Sequence, residues 1–328
     1  MRVLVLGRTG YLGRHVVEHL RALPHARVLG AGRFPGADVA VDLAADPPER
    51  LAKALASVAP DAVVNCAGAT GGDAVALAEV NARGPAVLAA ALREAAPTAR
   101  LVHLGSAAEY GPGRPGTKAA ESAVAAPAGL YGATKLAGTV AVTASGLDAV
   151  VLRVGNPVGP GAPASGLPGR VSALLRAAGP DPGAVLRLGD LSACRDFVDV
   201  GDVARAVVLA VTAAGPLPPV LNISGGTAVP VRALVRRLAD AAGFRGRVEE
   251  APHDTTGPNA PTNSTGPAGT TGSAGSARSA QVSWQCSDIT AAATALGWRP
   301  SRTLEESLAA LWAASAPQPR GREDEGAS

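Results

Sequence analysis

Bulky aromatic side chains are scarce in this chain, with three each of Phe, Trp and Tyr among 328 residues. The arginines are scattered singly, so a net charge of +3 and a pI near 9.0 come without a basic stripe interleaved with stacking rings. That excludes nucleic acid as a partner and leaves the local arginines to small anionic ligands. Cysteine is as sparse. Cys66, Cys194 and Cys286 are odd in number and lack metal-ligand spacing, which excludes a disulfide framework and a zinc site, so no metal is expected. They read as reduced thiols. Long apolar runs are missing too, each being interrupted well before the roughly 18 residues a membrane span needs, and no apolar signal region opens the chain. The expectation is a cytoplasmic protein without a membrane partner.

What the chain does have is aliphatic bulk, with 47% hydrophobic residues and 40 glycines. At this length such a composition buries a large core, as one α/β domain or as one domain with a smaller lobe. Valine-rich runs at 2–7, 27–33, 38–41, 61–66, 100–106 and 148–153 alternate with helical stretches near 11–23, 47–58, 72–96 and 130–146. This alternation predicts a parallel sheet covered on both faces. Beyond residue 153 proline and glycine punctuate the pattern, with helices near 167–178, 200–213, 230–242 and 303–314. Residues 251–280, from Thr255-Thr256-Gly257-Pro258 to Ala274-Gly275-Ser276-Ala277, are nearly all small or polar. They bury too little apolar surface to offset their ordering entropy and read as a flexible insertion. Residues 317–328 read as a disordered tail.

Two motifs carry chemistry. The first is Gly7-Arg8-Thr9-Gly10-Tyr11-Leu12-Gly13, between the apolar run Val3-Leu4-Val5-Leu6 and an amphipathic stretch from Tyr11 to Leu23. Strand, glycine turn and helix in that order are the setting of a dinucleotide fingerprint. Gly7 suits the tight turn, Gly10 lets backbone approach a pyrophosphate and Gly13 lets helix and sheet pack closely. The helix N-terminus adds amide donors and positive dipole. The second is the triplet Ser106, Tyr131 and Lys135. Tyr and Lys four apart on a helix point the same way. An ammonium near a phenol, whose ordinary pKa is about 10, favours the phenolate and makes Tyr131 a candidate acid/base beside a nicotinamide.

These motifs sit among others in a recognisable order. Leu104-Gly105-Ser106-Ala107-Ala108-Glu109-Tyr110-Gly111 is similar to a serine-bearing strand end, and Tyr131-Gly132-Ala133-Thr134-Lys135 to an active-site helix. Leu152-Arg153-Val154-Gly155-Asn156-Pro157-Val158-Gly159-Pro160, Arg195-Asp196-Phe197-Val198-Asp199-Val200 and Leu296-Gly297-Trp298-Arg299-Pro300 are similar to substrate-side landmarks. Together they resemble the extended short-chain dehydrogenases/reductases, of the NAD(P)-dependent sugar epimerase/dehydratase type, from residue 2 to about 312. The resemblance implies an α/β fold, a Rossmann-type doubly wound parallel sheet with a smaller C-terminal substrate-binding lobe. The expected division is 1–155 for the cofactor domain with Ser106, Tyr131 and Lys135, and 156–314 for the lobe with elements returning to the sheet. It also implies an enzyme that often dimerises through two helices, here those near 72–96 and 130–146.

For the cofactor, NAD users place an acid at the end of the second strand, against the ribose 2'-hydroxyl. Here that run is Val28-Leu29-Gly30-Ala31-Gly32-Arg33. An arginine in place of an acid, with Arg8 in the glycine loop, favours NADP(H), with NAD kept open; read blandly, both are solvated surface arginines. The resemblance adds Asp42 and Leu43 as an adenine-contacting pair, and Asn65-Cys66-Ala67-Gly68 as the turn beside the cofactor. Asp42 as a helix cap and Asn65 as a turn residue are the plainer readings.

For the substrate, the resemblance implies that Tyr131 exchanges the proton at the carbinol or carbonyl, that Lys135 holds the nicotinamide ribose and tunes the tyrosine, and that Ser106 hydrogen-bonds the reacting oxygen. It likewise implies that Arg195 and Asn156 reach the diphosphate of a nucleotide sugar. Arg278, ten residues before Asp288, which is itself ten before Trp298, resembles by that spacing the second diphosphate arginine of UDP-galactose 4-epimerases. The alternatives are a salt bridge from Arg195 to Asp199 or Asp202, and a turn cap at Asn156. Sugar 4,6-dehydratases carry Asp-Glu after the serine position, where this chain has Ala107 and Ala108, and epimerases acting at C3 and C5 carry a cysteine nearby, which residues 107–110 lack. Reduction of a keto-sugar and 4-epimerisation both remain. A reductase of a non-nucleotide carbonyl compound and a catalytically silent NADP-binding regulator stand as further alternatives.

Overall fold

The structure is a computed structural model and describes residues 1–250 and 282–315. The segment read as an insertion, 251–280, lies outside the described residues, as does the tail. The strands are β1 (Arg2–Leu6), β2 (Arg27–Gly32), β3 (Val39–Ala40), β4 (Ala62–Asn65), β5 (Arg100–Ser106), β6 (Ala149–Val154), β7 (Asn156–Val158), β8 (Val185–Leu188), β9 (Cys194–Asp199), β10 (Val220–Ile223), β11 (Ala228–Pro230) and β12 (Arg247–Glu250). The helices are α1 (Tyr11–Arg21), α2 (Pro48–Val58), α3 (Ala74–Ala95), α4 (Leu130–Thr143), α5 (Leu167–Ala178), α6 (Val200–Thr212), α7 (Val231–Ala241), α8 (Thr290–Leu296) and α9 (Leu304–Ala314).

Seven strands form one parallel sheet in the order β10-β6-β5-β4-β1-β2-β3. Successive side chains of a strand face opposite ways, and here both ways are interior. Val3 and Val5 of β1 join Val64, Val102 and Leu152 in the core under α1 and α6. Leu4 and Leu6 join Val63, Leu101, Leu55 and Leu88 in the core under α2 and α3. A continuous apolar run is what a strand buried on both faces requires, and the parallel sheet that the alternation of elements predicts is present in the Rossmann-type arrangement that the resemblance implies. The small sheets β11-β9-β7 and β12-β8 cover a third core, in which Val158, Leu175, Leu186, Phe197, Leu234 and Leu308 meet.

Two elements differ from expectation. Helix α3 is long and apolar enough, by length and composition, to cross a membrane, but half of that window is buried, packed against α2 and α4. Its ladder opens into a π turn at Glu79–Arg83. Pro85 has no N–H for the carbonyl of Asn81, and its ring crowds that carbonyl, so the turn widens there. The Leu296–Pro300 motif, read as a substrate-side landmark, packs into the core. Trp298 is fully buried in the core under α6, and its Nε1–H donates to the Asp202 carbonyl at 2.9 Å.

Candidate active site

The glycine turn between β1 and α1 is a cradle closed to side chains. Gly7 has φ +74°, and a Cβ there would lie 2.6 Å from the Ala67 backbone nitrogen. A Cβ on Gly13 would lie 2.1 Å from the Gly7 carbonyl oxygen. Gly10 is the N-cap of α1 and offers no capping side chain, which leaves that end's amides to a ligand. Gly10, Tyr11 and Leu12, with Cys66, Ala67 and Gly68 after β4, line a cavity of about 710 Å³. Bare amides at a helix start, beneath a turn that admits only glycine, fit a dinucleotide pyrophosphate.

Gly7, Arg8, Thr9 and Gly13 shape this turn without lining the cavity, and Arg33, Asp42 and Leu43 stand outside the lining as well. At the end of β2, the Arg8 guanidinium stacks on Phe34 with 4.3 Å to the ring centroid and faces Asp38 at 3.9 Å. Asp38 also accepts the Gly30 N–H at 2.7 Å. Arg33 is exposed and faces Asp42 at 3.5 Å, while Asp42 accepts the Ala44 N–H in a tight turn. Asn65 likewise accepts the Ala67 N–H at 3.0 Å. Asn65 thus has its plainer turn role, whereas Asp42 closes a turn and is not a helix cap, the N-cap of α2 being Pro47. Asn81, at the π turn, was not singled out from the sequence. It is fully buried, exchanges two hydrogen bonds with the Ala69 backbone and donates to Thr134 Oγ1 on α4 at 3.2 Å, tying the cavity-lining loop after β4 to the helix of Tyr131. The signal for it was Gly84-Pro85, which forces the turn open.

Ser106, Tyr131 and Lys135 line the same cavity. Ser106 ends β5, and its Oγ accepts the Ala108 N–H at 3.2 Å, which leaves the hydroxyl hydrogen to donate elsewhere. The 3₁₀ turn Ala107–Tyr110 that follows carries α4 against it, since a Cβ on Gly132 would lie 2.4 Å from the Ala108 carbonyl oxygen. Lys135 is buried and donates to the Leu104 carbonyl at 2.6 Å. Burial pushes its pKa down to about 8, opposed by the Glu109 carboxylate and the Cys66 thiol. Burial pushes the Cys66 thiol up to about 12 and holds His103, on β5, well below the usual imidazole range.

Across the cavity stand Asn156 and Arg195. Asn156 Nδ2 donates to the Asp196 carbonyl at 3.0 Å and to Gln285 Oε1 at 2.9 Å. Arg195 is buried, which pushes its pKa down, and it donates to the Cys194 carbonyl. Asp199 instead caps α6 through the Gly201 N–H and accepts from Ser307, and Asp202 holds Arg205, Ser301 and Arg302. Arg170, Asp190 and Gln285 also line the cavity and were not read from the sequence, where nothing marks them apart from surface polar residues. Arg278 lies outside the described residues.

Residues 3–224 match the family model described as the NAD dependent epimerase/dehydratase family. The dTDP-6-deoxy-L-talose 4-dehydrogenase (NAD(P)(+)) of Kitasatospora kifunensis is 39% identical over 332 residues, covering 97% of this chain and 96% of its own. The UDP-glucose 4-epimerase of Thermus thermophilus, solved in complex with NAD, is 26% identical over 96% of this chain and 98% of its own, with a TM-score of 0.75. RMD from Pseudomonas aeruginosa, complexed with NADPH, shares the fold at a TM-score of 0.75 and 22% identity, over 95% of this chain and 98% of its own. The chain thus belongs to the NAD-dependent epimerase/dehydratase family and is an NAD(P)-dependent enzyme of the extended short-chain dehydrogenase/reductase type.

Proposed function

We propose that this enzyme interconverts a carbinol and a ketone at C4 of a nucleotide-diphosphate sugar, with net oxidation or reduction, and that NADP(H) is the preferred cofactor. The observation that carries the reading is the single cavity holding Ser106, Tyr131 and Lys135 on one wall and Asn156 and Arg195 on the other. Its size and two-ended polarity suit a sugar joined to a diphosphate. The similarity to a dTDP-6-deoxy-L-talose 4-dehydrogenase supports net redox chemistry on a dTDP-linked 6-deoxyhexose over 4-epimerisation. Ala107 and Ala108 supply neither acid nor base for water elimination.

In this reading the Tyr131 phenolate takes the carbinol proton during oxidation and returns it during reduction. Ser106 donates its hydroxyl hydrogen to the reacting oxygen as charge develops there. Lys135 stabilises the phenolate and holds the nicotinamide ribose. The nicotinamide, when bound, accepts or supplies the hydride. Arg195 and Asn156 hold the diphosphate, and Arg278 is kept as the second arginine. Arg8 and Arg33 hold the 2'-phosphate, while Asp42, Leu43, Cys66, Ala67 and Gly68 border the adenosine and nicotinamide halves.

The test is hydride stoichiometry with purified protein, NADPH or NADH, and a panel of dTDP- and UDP-linked sugars with their 4-keto forms. Stoichiometric nicotinamide turnover with one keto-sugar is the expected result. Inversion at C4 without net nicotinamide change makes the enzyme an epimerase, and turnover of simple ketones alone overturns the nucleotide-sugar reading.

A further inference from the structure

We infer that Glu109, a residue that does not line the cavity, is a positioning residue of the catalytic centre: its buried carboxylate fixes the Ser106 turn and supplies the counter-charge for Lys135. The inference rests on the roles proposed above for Ser106 and Lys135.

Glu109 is fully buried. One carboxylate oxygen accepts the Ser106 N–H at 2.7 Å and the other accepts Arg153 Nε at 2.7 Å. The carboxylate folds back under β5 because Gly105 has no side chain; a Cβ there would lie 2.7 Å from Glu109 Oε1. Arg153 in turn lies over the Tyr110 ring at 4.5 Å. The Tyr110 hydroxyl donates to Asn222 Oδ1 at 2.8 Å, and Asn222 Nδ2 donates to the carbonyls of Ala119 and Asp288. The turn that aims Ser106 is therefore held from β6, from β10 and from the 119 and 288 segments at once.

A neutral acceptor would satisfy the Ser106 N–H as well as a carboxylate does, and burying a carboxylate with a guanidinium is costly relative to apolar packing. What the charge adds lies at Lys135. Acting on that ammonium are the Cys66 thiol after β4, the His103 imidazole on β5 and the Glu109 carboxylate on the 3₁₀ turn, and Tyr131 stands one turn back on the same helix. On α3, Glu79 is exposed, and Arg83 is turned to the carbonyls of Leu43 and Asp46. Burial keeps Cys66 and His103 neutral at neutral pH. Among these neighbours Glu109, itself paired with Arg153 on the side away from Ser106, provides the negative charge that offsets desolvation of Lys135.

The test is Glu109→Gln, read as kcat and KM against pH and as melting temperature against pH. The expected result is an alkaline limb of kcat moved to lower pH by about one unit, a displacement read from the pH at which kcat falls and not from the height of its acid-side plateau. The same displacement should appear in the melting curve of the substrate-free protein, where deprotonation of Lys135 begins at lower pH in the variant. That second reading needs no turnover, so it separates failure of this inference from failure of the proposed reaction. The double variant Glu109→Gln/Arg153→Gln keeps a neutral pair in the same space, leaves no orphaned guanidinium, and must displace the limb in the same direction. A uniform drop in kcat at every pH with the limb in place, or no change at all, overturns the proposal and makes Glu109 a structural prop.

Discussion

Arg8 lies across Gly30, so close that a Cβ on Gly30 would come within 2.3 Å of Arg8 Cδ. The missing side chain at the end of β2 and the arginine in the glycine loop are thus one arrangement, held flat by Phe34 and faced by Asp38. A 2'-phosphate would draw Arg8 from Asp38, whereas a ribose 2'-hydroxyl would find Asp38 as its acceptor. Arg8→Ala is expected to weaken binding of 2'-phospho-AMP by about tenfold or more, the worth of one charge-assisted hydrogen bond, while 5'-AMP binding changes little. Asp38→Asn should move the ratio the other way. Calorimetric titration with the two nucleotides decides it, and an unchanged ratio in both variants removes Arg8 from the phosphate site.

Gly132 sets the distance between the two proposed proton-handling residues. Its Cα faces the Ala108 carbonyl, two residues past Ser106, so Gly132→Ala must lift the start of α4, and Tyr131 with it, off the Ser106 turn. Overpacking of this kind costs about 1–3 kcal/mol in stability, and a misplacement of about 1 Å costs about a hundredfold in rate. The expected outcome is a lower melting temperature with a disproportionate fall in kcat. A variant that is destabilised yet fully active would show that this contact does not set the reacting geometry.

Arg195 tests the diphosphate end. It is buried at the cavity wall, so Arg195→Gln should raise KM for a nucleotide sugar by roughly tenfold to a hundredfold, as loss of a charge-assisted contact does, with kcat changed far less. Comparing the nucleotide sugar with a free keto-sugar isolates the effect. Equal losses on both would place Arg195 away from the diphosphate.

Much of this was legible in the chain because its sheet is buried on both faces. The run Arg100–Ser106 needs no alternation to be read as a strand, and Ser106 follows as its end. The glycine turn was legible for the same reason, since steric closeness admits no other residue. Strands β7, β9 and β11 were not, because Cys194-Arg195-Asp196-Phe197-Val198-Asp199 pairs only once β7 and β11 flank it. Trp298, read within a substrate-side motif, lies instead in the core under α6, because a single tryptophan between a glycine and an arginine gives no sign of which core receives it. Glu109 stood in a quoted motif without a role, for an acid inside an apolar strand end acquires meaning only when Arg153, forty-four residues on, arrives beneath it.

Lys135 gives the sharpest pH prediction. Its folded-state pKa of about 8 lies below the ordinary 10.5, so the folded protein binds its proton less tightly than the unfolded chain does. A buried ammonium therefore costs stability fully below pH 8, and the cost disappears as pH rises from about 8 to about 10.5. Over that window the lysine's contribution changes by about 3 kcal/mol, since each pKa unit is worth about 1.4 kcal/mol. Lys135→Met removes the charge and keeps the bulk, but orphans the Leu104 carbonyl at a cost of about 1–2 kcal/mol. The variant is expected to melt above the wild type at pH 7 by the difference and to lose that advantage above pH 10, while its hydride-transfer activity collapses at every pH. Melting curves at the two pH values check the first half and single-turnover rates the second. A variant less stable than wild type at neutral pH would mean that the charge is stabilised in place, with Glu109 offsetting the whole of its desolvation.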